Sequence, residues 1–139
     1  MSEKLSVLLV QPEKVPERIE IDSGLDALQK VVGGYIEAVY PYEDPVALIV
    51  NDEGKLNGLP LNRALRDEDG HIYDVIAGPF LVVGLGESDF VSLSPEKQEK
   101  YERIFHRPEA FMRVNGQLVV IPAPVPKKEP KHKQRGEAR

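Results

Sequence analysis

The apolar residues of this chain arrive in short bursts, and that limits its fold more than any other feature. The longest bursts, such as 46–50 and 80–83, are strand-sized, far below the ~20 residues of a membrane-spanning helix. Turn residues separate them, with 12 Pro and 11 Gly to draw on. A sheet of short strands is the natural outcome. A length of 139 residues suits one domain, which can bury most of the surface its unfolded chain exposes.

Residues 5–10 are nearly all apolar and end at Gln11-Pro12, which predicts a central strand, and 18–21 predicts a second. Ser23 is placed to cap a helix over 24–32, with Asp26 in its first turn. Leu25, Leu28, Val31 and Val32 recur at helical spacing, and Gly33-Gly34 ends the run. Residues 35–40 alternate, with Ile36, Ala38 and Tyr40 on one face and Glu37 on the other. A five-residue turn then leads into 46–50. That turn is too short for a crossover, so the two strands pair antiparallel.

Residues 51–66 are dense in Gly, Asn and Pro and read as a loop with one short helix starting at Pro60. Residues 67–70 form a surface turn, and 72–76 and 80–83 are strands interrupted by Ala77-Gly78-Pro79. A second helix is capped by Ser94, primed by Pro95 and Glu96, striped by Tyr101, Ile104 and Phe105, and stopped by Arg107-Pro108. A last strand covers 118–121. The expected architecture is α+β: a small antiparallel or mixed sheet with two helices packed on one face. One domain spans 1–126, and a disordered basic tail spans 127–139.

Charge divides the chain in the same place. The net charge is −5, and six Lys or Arg against two Glu put +4 on residues 127–139, leaving −9 on residues 1–126. An acidic body repels phosphate, so nucleic acid is an unfavoured partner for the folded part. With no cysteine there is neither a disulfide nor a thiolate metal site. Residues 1–5 do not begin a signal peptide, so the expected location is the cytoplasm, away from membranes.

The motifs that carry chemistry are weak. Gly84-Leu85-Gly86 follows a strand, but the third glycine of a dinucleotide fingerprint would be Asp89. Gly54-Lys55 is followed by Leu56, not the Ser or Thr of a phosphate loop. Asp67, Asp69 and Gly70 suggest a calcium loop whose first and last ligand positions would be Leu65 and Ile76, which have no side-chain oxygen. His71, His106 and His132 lack metal-ligand spacing, and no nucleophile elbow surrounds Ser88, Ser92 or Ser94. General acid–base chemistry would need Glu37, Glu53 and Asp74 to converge. No cofactor is implied, and the expectation is a protein that is not an enzyme.

Segment 51–63 remains, with Asn51, Lys55, Asn57, Asn62 and Arg63. Amides, a forked guanidinium and turn N–H groups suit a small anionic ligand. The predicted site joins Asn51, Lys55, Asn62 and Arg63 to Gly33, Gly34, Tyr35 and Glu37. Against it stands the plainer reading of a connection whose asparagines satisfy their own backbone.

The blocks at 28–37, 51–55, 58–63, 74–78 and 80–84 resemble a small domain-of-unknown-function family of Gram-positive bacteria, their phages and plasmids, over about 5–106. The resemblance implies a mobile-element setting and no established activity, cofactor or catalytic residue. Three functions follow in order: a nucleotide-like ligand-binding module, an acidic module or inhibitor engaging a basic host protein, and an unrecognised hydrolase.

Overall fold

Leu5, Val7 and Leu9 alternate with Leu8 and Val10, so a strand built on them has two apolar faces and needs cover on both. The computed structural model describes residues 4–125 and shows how that cover is supplied. Its elements are β1 (Lys4–Val10), β2 (Glu17–Asp22), α1 (Leu25–Val32), β3 (Ile36–Val39), β4 (Val46–Asn51), β5 (Leu61–Arg66), β6 (Ile72–Ala77), β7 (Phe80–Leu85), β8 (Phe90–Val91), α2 (Pro95–Ile104), β9 (Glu109–Val114) and β10 (Gln117–Pro122).

The main sheet runs β2-β1-β7-β4-β3, with β8 added to the end of β7, and every pairing is antiparallel. The β3–β4 hairpin forms as expected, with Ile36 opposite Asn51 and Val39 opposite Leu48. The protein is α+β in a sheet-dominated form, and the helices do not share a face. Leu28 and Val32 of α1 pack on Leu5, Val7, Ala47, Ile49, Leu81 and Val83. Tyr101 and Phe105, from α2 and its C-cap, pack with Leu65 and Ile76 on Leu8, Val10, Leu48, Phe80 and Val82 of the other face. Because β1, β4 and β7 are apolar on both sides, one helix per side is the arrangement that buries them.

Three local expectations are corrected. Ser23 does not cap α1: the N-cap is Gly24, with φ 113 and ψ 164 and no side-chain cap. That backbone region is open essentially to glycine alone. Leu25, expected on the buried stripe, is exposed, and Gly33 ends the helix in the left-handed conformation, φ 82. No helix starts at Pro60. Residues 61–66 form β5, paired with β6, and the Pro60 carbonyl accepts from the Gly78 N–H at 2.7 Å. The single last strand is a hairpin instead. Asn115 (φ 53) and Gly116 (φ 81) form a two-residue turn between β9 and β10, as positive φ at both positions requires.

Helix α2 begins as its sequence suggests, with the Ser94 Oγ accepting from the Lys97 N–H at 3.3 Å. Ile104 faces outward, and Gln98 takes a buried place beside Tyr101. The domain boundary expected at 126 and the tail at 127–139 lie outside the described residues. Among the described residues no helix is long and apolar enough to cross a membrane.

Candidate functional site: two clefts and a buried arginine

Arg63 points inward from β5 and is only 2% exposed. Its Nε and Nη2 donate to the Phe105 carbonyl at 3.1 and 2.8 Å, Nη2 also to the Lys14 carbonyl at 2.7 Å, and Nη1 to the Asn62 Oδ1 at 2.9 Å and the Asn62 carbonyl at 3.3 Å. A guanidinium has five N–H groups, and these contacts occupy them. Phe105 is the C-cap of α2, so the cation also sits at the negative end of a helix dipole. Burial pushes the guanidinium below its usual value, against the opposing pull of Glu109. Asn62 is equally committed, its Nδ2 donating to the Val10 and Gly78 carbonyls at 2.9 and 2.8 Å. Both residues stitch the β5–β6 hairpin to the sheet and have no donor left for a ligand.

The Asn51 Nδ2 donates to the Val32 carbonyl at the end of α1, and its Oδ1 accepts from the Glu53 N–H. Gly34 lets it come close, since a Cβ there would lie 3.0 Å from that Nδ2. Gly33 is the α1 C-cap. Tyr35 is 74% exposed, and its carbonyl accepts from the Asp52 N–H. Lys55 is paired with Asp74 at 2.6 Å. Of the eight predicted site residues, Glu37, Asn51 and Lys55 line one cleft, whereas Arg63 lines a different one. They do not gather into one concavity, because a buried strand rather than a loop carries Asn62 and Arg63.

The first cleft has about 170 Å³ and is acidic, with Glu37, Asp52, Glu53 and Asp74 against Lys55. It does bring together the three acids singled out from the sequence. Its floor is tight, since a Cβ on Gly54 would come within 2.7 Å of the Ala77 carbonyl oxygen. Among the described residues, the group of three ligand atoms close enough for a metal is elsewhere, at Asp67, Asp69 and His71 in an exposed turn. There the Asp67 Oδ1 already accepts from the Asp69 and His71 N–H groups.

A second cleft, of about 630 Å³, opens at the start of α1. Leu5, Leu28, Ile36 and Phe90 form its apolar wall, with Ser23, Gly24, Ser92, Lys4 and Asp89 at its polar rim. The uncapped first turn of α1 borders it, and the Ser92 Oγ accepts from the Ser6 N–H at 2.9 Å. The site was not legible in the sequence because it combines four elements, β1, α1, β3 and β8, with the loops beside them. The one local signal was a glycine where a capping residue is usual. On the far face Asp44 accepts from Lys100 and Tyr101. Those two bonds hold its carboxyl below the usual range, and burial pushes the neighbouring Tyr42 hydroxyl up to about 12.

The description of a domain of unknown function, DUF3846, matches residues 4–106. The chain belongs to that family. The family region runs from β1 to the end of α2, so it contains both clefts and leaves the β9–β10 hairpin outside. No curated protein and no solved structure matches the chain.

Proposed function

We propose that the protein is a non-catalytic cytoplasmic binding module for a small nucleotide-like ligand, held in the cleft at the start of α1. The observation that carries this reading is the cleft itself. At about 630 Å³ it falls within the ~300–1,000 Å³ usual for small-molecule sites, with the usual apolar wall and few polar groups. Phe90 offers a ring for a base to stack on. The uncapped helix turn offers N–H groups and a positive dipole end to an anionic group, with the Ser23 hydroxyl beside it and Lys4, paired with Asp22 at 2.8 Å, at the rim. In the phage and plasmid setting that the family resemblance implies, a nucleotide-like defence signal is a sensible ligand to sequester.

A thermal-shift screen of nucleoside monophosphates on the full chain tests this. A ligand at a hundred times its Kd should stabilise the protein by about 2.7 kcal/mol. Phe90→Ala should weaken that shift, and Ser23→Asp should abolish it by charge repulsion. No shift with any nucleotide, or an unchanged shift in Ser23→Asp, contradicts the proposal.

A second reading has its own support. Four carboxylates and one lysine around a slot of about 170 Å³ suit a Lys or Arg side chain from a basic protein, drawn in by the −9 body. Binding of a basic peptide that weakens steeply with salt and with Glu37→Gln would favour it.

A further inference from the structure

The exposed strand edges of this protein are not built alike. At one end of the main sheet β2 carries Glu17, Arg18, Glu20 and Asp22, and at the other end β3 has four residues and includes Glu37. Charge and shortness are standard protections against unwanted strand pairing. β10, Gln117-Leu118-Val119-Val120-Ile121-Pro122, has neither. Among the described strands of four or more residues, the others without a charged side chain are β4 and β7, which are paired on both sides in the centre of the main sheet. β10 has their composition but pairs only with β9, and among the described residues nothing pairs with its outer edge. The hairpin also exposes Met112, Val114, Leu118 and Ile121. A two-stranded hairpin that leaves its apolar residues wet is marginal in water.

We propose that the outer edge of β10 pairs antiparallel with β10 of a second copy of this chain, about a two-fold axis near Val119 and Val120. The charge pattern selects this occupant. An uncharged apolar edge offers nothing to a basic partner, which the acidic body would attract instead. The other free edges of the main sheet are charged, so the complementary edge this chain supplies is β10 itself. A two-fold contact is self-complementary by construction, and here it brings no like charges together within the paired strands. The acidic bodies still repel at longer range, so salt should strengthen the dimer by screening.

Sedimentation of the full chain over a wide concentration range tests the proposal. The expected result is a species of twice the chain mass that persists to lower concentration as salt is raised. Val119→Lys should shift it to monomer and Val119→Thr should not, both with an unchanged circular dichroism spectrum. If Val119→Lys fails to fold, hydrogen exchange on the natural chain decides: β10 amides must gain protection as concentration rises. A monomer at every concentration overturns the proposal, as does a Val119→Lys dimer. A monomer in which the β10 amides that do not bond β9 are protected at all concentrations would assign the edge to the chain's own 126–139 segment and equally overturn it.

Discussion

Replacing Arg63 by alanine removes a side chain that joins three separate parts of the protein: β5, the loop after β1 through Lys14, and the end of α2 through Phe105. The bonds to Phe105 and to the Asn62 side chain are buried, whereas the one to Lys14 is partly open to water. Each buried acceptor left without a donor costs about 1–3 kcal/mol, so two of them predict a loss of roughly 2–6 kcal/mol. Relief of the guanidinium's own desolvation lowers that figure, and the packing space left by the side chain raises it. A cost of about 3–5 kcal/mol is a large share of the ~5–15 kcal/mol that stabilises a typical domain. Urea unfolding followed by circular dichroism measures it from the midpoint at constant slope. Arg63→Lys should recover only part of the loss, because an ammonium cannot span the forked set of acceptors. A loss below about 1 kcal/mol, within the reach of one ordinary hydrogen bond, would refute the view that Arg63 is a structural stitch.

Two further outcomes follow from the packing. Leu28→Ala should cost about 2–5 kcal/mol, since Leu28 is 3% exposed under the sheet, and the same urea experiment checks it. Lys100 and Tyr101 lower the Asp44 carboxyl in the folded state, so its contribution is fully present above the ordinary value of 3.8 and is lost as pH falls through the lower folded value. Asp44→Asn should therefore be less stable than the natural chain at neutral pH, and the difference should shrink with acidification below that value.

Local signals made some of this legible. The end of α1 at Gly33, the Ser94 cap of α2 and the β3–β4 hairpin each depend on a few adjacent residues, and they appear where the sequence puts them. β5 was hidden because Asn62 and Arg63 are polar yet buried. Alternation of apolar and polar residues cannot reveal a strand whose inward positions are filled by hydrogen-bonding groups. The Asn115-Gly116 turn was written in the sequence as a strong hairpin signal, but Glu109 and Arg113 broke up the apolar pattern of β9. The order β2-β1-β7-β4-β3 places β7 between β1 and β4 across long stretches of chain, and no local rule contains that. The cleft at α1 was illegible for the same reason, since β8 reaches it only through β7.

Amide chemical shifts of the full chain, followed during titration with a nucleoside monophosphate, test the binding cleft most directly. Saturable shifts should appear at Gly24, Leu25 and Asp26 in the first turn of α1 and at Phe90 and Ser92 across the cleft. The amides around Arg63 should remain still. Shifts centred instead on residues 51–55 and Asp74, or none at any ligand concentration, would contradict the proposed site.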